Sequence, residues 1–77
     1  MTTLAQLSVG ARGRVVRVSQ LDEISARLLE MGLTPGVDVQ VLGTAPLGDP
    51  IELSLRGYRL SVRRSEAARV EVEEMSV

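Results

Sequence analysis

Four segments in the second half of the chain alternate apolar and polar residues with a period of two. Val37, Val39 and Val41 alternate with Asp38 and Gln40, and Ile51, Leu53 and Leu55 with Glu52 and Ser54. Tyr58, Leu60 and Val62 alternate with Arg59, Ser61 and Arg63, and Val70 and Val72 with Arg69, Glu71 and Glu73. Successive side chains of a strand point to opposite faces, so each segment is predicted to be a half-buried antiparallel strand. The Arg56–Gly57 pair fits a tight hairpin, because Gly57 can take positive φ. Ser65–Ala68 is long enough for one helical turn before the last strand.

The first half carries different signals. Thr3 and Gln6 read as a capping box, with Leu4 and Leu7 on one face, which predicts a short helical turn over 3–7. Gly10 and Gly13 punctuate a turn, and 14–19 is predicted as the first strand, with Val16 and Val18 facing inward. Val15 breaks the alternation, so a bulge or a doubly buried start is expected there. Residues 22–31 form the one clear helix, capped by Asp22 with Glu23 in its first turn. Leu21, Ile24, Leu28 and Met31 follow a three-four-three spacing and are read as one core stripe. Leu29 sits about 100° around the helix from Leu28 and flanks that stripe. Gly32 ends the helix, and the Thr34-Pro35-Gly36 turn prevents its continuation.

A chain of 77 residues supports one domain, 1–77, with one modest core. Short antiparallel strands with one apolar face must curl to bury it, and curling also limits free edges. The predicted fold is mainly β: a small SH3-like barrel of about five antiparallel strands with one intercalated α-helix across an opening. The tail from Glu73 to Val77 is expected to fray.

Composition then removes function classes. The sequence has no cysteine and no histidine, which excludes disulfides and the usual zinc ligand sets. Nine arginines face ten acidic residues for a net charge of −1, so the basic excess of a nucleic-acid binder is missing. Tyr58 is the single aromatic residue, which leaves no stacking platform for single strands. No apolar run could span a membrane, and the first residues lack the pattern of a leader peptide, so the expected location is the cytoplasm. Without histidine, cysteine, a Gly-rich phosphate loop or a base beside any serine, no catalytic residues and no cofactor are expected. Glu71, Glu73 and Glu74 offer an oxygen-only cluster, a poor match for a transition metal, and no metal site is assigned.

Two motifs carry a resemblance. One is Arg27-Leu28-Leu29-Glu30-Met31-Gly32-Leu33-Thr34-Pro35-Gly36; the other is Ala45-Pro46-Leu47-Gly48-Asp49-Pro50-Ile51, followed by Gly57 and then Leu60-Ser61-Val62-Arg63. In this order and spacing the chain resembles the ferrous iron transport protein A (FeoA) family over nearly its whole length, as a free-standing module. The resemblance implies an SH3-like fold and a role in ferrous iron uptake. It implies as partner the GTPase-bearing ferrous iron permease of the bacterial inner membrane (FeoB), which would hold the chain at the membrane without inserting it. The same module resembles the C-terminal domain of iron- and manganese-dependent repressors. The alternative is thus a stand-alone regulatory module of that kind.

The candidate site residues follow. Leu47 stands mid-loop among Pro46, Gly48, Asp49 and Pro50, either tucked over the barrel or offered to a partner. Leu29 and Leu33 are read as the other part of an apolar docking patch. Arg27, able to pair with Glu23 or Glu30, and Arg63 are its candidate charged contacts. Gly32, Pro35, Gly36, Pro46, Gly48, Asp49, Pro50 and Gly57 are assigned as loop scaffold. A weak homo-oligomer through strand edges or the Leu29/Leu47 patch stays open.

Overall fold

The computed structural model describes residues 2–75. In chain order these form β1 (Thr2–Thr3), a 3₁₀ turn (Leu4–Gln6), β2 (Arg12–Val18), α1 (Glu23–Glu30), β3 (Asp38–Thr44), β4 (Ile51–Leu55), β5 (Tyr58–Val62), α2 (Arg64–Ala67) and β6 (Val70–Met75). The strands make one six-stranded sheet in the order β1-β6-β2-β3-β4-β5. Every pairing is antiparallel. The sheet curls around a single aliphatic core, giving a small SH3-like barrel.

The alternating segments bury the residues that alternation selects. Val37, Val39, Val41, Ile51, Leu53, Leu55, Val62, Val70 and Val72 are all buried, with Leu60 half-buried against them. Tyr58 departs from this pattern and is partly exposed. It lies beside the hairpin turn, and its hydroxyl donates to the Met31 carbonyl at the end of α1. Arg56 and Gly57 have φ of 49° and 82°. Both values are positive, as a two-residue type I′ hairpin requires. The expected turn near the N-terminus is present: Gln6 Oε1 accepts the Thr3 N–H at 2.9 Å, and Leu4 is buried beneath it. The sixth strand, Thr2–Thr3 beside β6, is too short to leave an alternation signal.

Three expectations need correction. In β2 the register shifts between Val15 and Arg17. A bulge inserts one extra residue and inverts parity locally. Val15 is consequently buried, Val16 faces solvent and Val18 is half-buried, where Val16 was expected inside. Leu21 is fully exposed rather than part of the core stripe. Asp22 is the N-cap, so Leu21 precedes the helix and the helical period does not govern it. The tail is ordered strand as far as Met75, which pairs with Arg12; Ser76 and Val77 lie outside the described residues.

The end of α1 is a complete Schellman motif. Gly32, at φ 109°, donates its N–H to the Leu29 carbonyl at 3.0 Å, and Leu33 donates to the Leu28 carbonyl at 3.1 Å. The motif brings the residue after the glycine onto the last helical turn. Leu28 and Leu33 are accordingly both fully buried.

Candidate functional site

The segment between β3 and β4 is built to hold one leucine outward. The Gly48 N–H donates to the Ala45 carbonyl at 2.7 Å, closing a β-turn with Pro46 and Leu47 at its two central positions. Proline suits the first central position because its φ is already set. The Ala45 N–H donates to the Pro50 carbonyl at 3.0 Å, so the loop closes on itself, with the Asp49–Pro50 peptide cis. Leu47, at the tip, is 97% exposed.

Arg64 anchors this loop from the far side of the sequence. Its backbone N–H donates to Asp49 Oδ1 at 2.9 Å, its Nε to the Gly48 carbonyl at 3.0 Å, and its Nη1 to the Ala5 carbonyl at 2.8 Å. One side chain therefore ties the loop, α2 and the N-terminal 3₁₀ turn together. No local pattern in the sequence marks Arg64 for this role, because its partners lie 15 to 59 residues away.

Arg27, Asp49, Pro50 and Arg63 line one hollow of about 370 Å³, together with Ser61, Val62 and Glu66. Arg27 pairs with Glu66 of α2 at 2.6 Å, not with Glu23 or Glu30 of its own helix. Arg63 makes no ion pair among the described residues. Leu29 lies elsewhere, on an apolar groove of about 200 Å³ with Val18, Leu21 and Ala26. Leu33 is buried in the core and has no surface to offer. The expected patch of Leu29, Leu33 and Leu47 is thus divided: Leu47 on its loop, Leu29 with Leu21 on the α1 groove, Leu33 inside.

The α1 groove rests on a polar cluster. Asp22 Oδ1 accepts the Ser25 N–H at 2.9 Å, capping the helix, and its second oxygen accepts from Arg69. Ser25 Oγ donates to the Ser19 carbonyl at 2.9 Å, which satisfies the one polar side chain buried in the described residues. The Arg69 hydrogen bond first, and the Ser25 N–H second, hold the Asp22 carboxyl below its usual range. Asp22 was legible as a cap, but its pairing with a residue 47 positions away was not.

The carboxylates of the last strand are dispersed across the sheet. Glu71 pairs with Arg17 at 2.9 Å, and Glu73 lies opposite Arg14 in the ladder. Among the described residues no three carboxylates stand together as metal ligands.

A model of the FeoA domain matches residues 2–74. The chain belongs to the FeoA domain family. This FeoA domain is 38% identical over 73 residues to an Fe(2+) transport protein A/Fe(2+) transporter FeoB fusion protein of Porphyromonas gingivalis. The match takes in 95% of the chain and 9% of that protein, so the domain spans about a tenth of the curated relative's length. A FeoA-like protein from Clostridium acetobutylicum superposes with a TM-score of 0.91 at 33% identity, over 97% of this chain and 87% of that one. The zinc complex of FeoA from Stenotrophomonas maltophilia, described as a prokaryotic SH3 domain protein, gives 0.85 at 32% identity, over 95% and 91%. A manganese-dependent transcriptional repressor also superposes at 0.85, with 19% identity, over 95% of this chain and 36% of that one. At that identity the likeness is one of fold.

Proposed function

We propose that this FeoA domain is a non-catalytic accessory factor of bacterial ferrous iron uptake that docks on the ferrous iron permease FeoB from the cytoplasm. The observation that carries the reading is Leu47, a large apolar side chain held out to solvent on a turn that Arg64 and Asp49 fix in place. A preformed loop loses little conformational freedom when a partner closes over it. An exposed apolar tip beside charged residues suits an interface whose centre is dry and whose rim is polar. Arg63 and Asp49, at the hollow beside the loop, would supply that rim. The P. gingivalis relative is a fusion of Fe(2+) transport protein A with the transporter FeoB, an arrangement that keeps the two parts side by side. No helix among the described residues is long and apolar enough to cross a membrane.

The reading is tested in cells that need the permease for growth at low iron. Removing the FeoA gene should lower ferrous iron uptake, and the Leu47→Asp chain should fail to restore it while accumulating normally. Full uptake in the deletion strain would contradict the proposal. The likeness to metal-dependent repressors, at 18–19% identity, supports the fold and gives the regulatory alternative no residue of its own.

A further inference from the structure

Strand β5 ends the sheet and is hydrogen-bonded on one side by β4. Its register fixes which backbone groups point away. A two-residue hairpin closes on a hydrogen-bonded pair, here Leu55 and Tyr58, and such pairs recur at every second residue. Leu53–Leu60 and Ile51–Val62 are therefore bonded inward, and the N–H and C=O of Arg59 and Ser61 face out. The next outward donor, the Arg63 N–H, is already taken by a carboxylate: it donates to Glu66 Oε1 at 3.0 Å. Arg59 and Ser61 are both exposed; the end of α1 meets this strand at Tyr58, whose hydroxyl donates to the Met31 carbonyl, and Arg27 of α1 and Glu66 of α2 line the open hollow beside Ser61.

The charge along the edge selects what can pair with it. From Leu53 to Ser65 the chain carries Arg56, Arg59, Arg63 and Arg64 and no acidic residue. Arg64 is committed to the loop; Arg56 and Arg63 make no ion pair among the described residues, and Arg59 has Glu52 at 3.8 Å. A second copy is disfavoured. Two-fold antiparallel pairing through the outward residues sets Arg59 opposite Arg59, or Arg59 opposite Arg63, or brings Arg56 to the Arg63–Arg64 end of the other copy. Like charges directly opposite one another destabilise a strand pair, and opposite charges stabilise it.

We propose that the β5 edge receives an extended acidic segment of a partner protein, which adds a strand through Arg59 and Ser61 and pairs its carboxylates with Arg56, Arg59 and Arg63. Main-chain bonds supply the attachment in this mode, and the side chains supply the choice of sequence. The surface adjoins the Leu47 loop, because Ser61 and Arg63 share a hollow with Asp49 and Pro50, but Leu47 itself does not line it.

The test titrates isotopically labelled protein with a ten-residue peptide of alternating Glu and Val, and with peptides carrying Gln or Lys in place of Glu. The Glu peptide should shift the Arg59 and Ser61 amides and slow their hydrogen exchange. Its affinity should exceed that of the Gln peptide about tenfold, from several cross-strand charge pairs, and should fall with salt. Ser61→Pro removes one outward donor at a position where an edge strand tolerates proline. It should lose binding, as should Arg59→Ser with Arg63→Ser, whereas Leu47→Asp should bind unchanged. Equal binding of the Glu and Gln peptides would overturn the proposal. So would retained binding in a folded Ser61→Pro chain, shifts confined to the α1 groove or the Leu47 loop, an absence of shifts at millimolar peptide, or dimerisation through β5.

Discussion

Asp49 and Arg64 hold each other's segment: the Asp49 carboxylate accepts the Arg64 N–H at 2.9 Å, and the Arg64 guanidinium returns to the carbonyl of Gly48, the residue before Asp49. The exchange stiffens the turn that presents Leu47. Arg64→Ala removes the guanidinium contacts to Gly48 and Ala5 and leaves the core untouched. We expect a cost of about 1 kcal/mol in urea unfolding, with faster hydrogen exchange at Gly48 and unchanged exchange in β6. Unaltered Gly48 exchange would mean that the turn is rigid without Arg64.

Asp22 gives a pH-dependent prediction. Its carboxyl is held low by Arg69 and then by the Ser25 N–H, so the unfolded chain takes up the proton first as pH falls. The stabilisation is complete above the ordinary carboxylate range, near pH 4, and is lost as pH drops through the lowered value. Asn at position 22 keeps a capping oxygen but loses the charge facing Arg69. The wild type should therefore exceed Asp22→Asn in stability at pH 7, and the difference should close once pH has fallen through the lowered Asp22 value. A difference that persists there would place its origin outside the carboxylate.

The two leucines read as members of one stripe should behave oppositely. Leu28 is fully buried, and Leu28→Ala should cost about 2–5 kcal/mol, enough to threaten a domain of this size. Leu21 is fully exposed, and Leu21→Ala should stay within about 0.5 kcal/mol of the wild type. Chemical denaturation of both variants decides the matter.

That contrast shows where the sequence was legible. Alternation placed nine buried strand residues correctly because period two follows directly from the pleat. The Leu21 signal was present but read with the wrong rule: once Asp22 is the cap, the residue before it lies outside the helix. Leu33 is similar, since an apolar residue following a helix-ending glycine is the buried contact of a Schellman motif. Val15 announced a bulge without revealing which of the paired valines would turn out. The Arg64 anchor, the Arg27–Glu66 pair and the Asp22–Arg69 pair were out of reach. Each joins positions 15 or more residues apart through side chains with many possible partners.

Gly32 and Gly36 separate backbone strain from crowding. Both have positive φ, at 109° and 91°, and a Cβ on Gly36 would meet nothing within 4 Å. Gly36→Ala should cost roughly 1–2 kcal/mol, the strain of a left-handed residue. A Cβ on Gly32 would also strike the Tyr58 hydroxyl, so Gly32→Ala should cost more. Tyr58→Phe should recover part of the excess in a double-mutant cycle. Equal costs at the two glycines would show that Tyr58 gives way freely.

Docking through Leu47 is tested most directly by titrating the labelled domain with the isolated cytosolic GTPase portion of the ferrous iron permease, with and without nucleotide. Amide shifts centred on Leu47, Gly48 and Arg63, and lost with Leu47→Asp, are the predicted result. An absence of shifts at high partner concentration, or shifts that Leu47→Asp leaves unchanged, would contradict it.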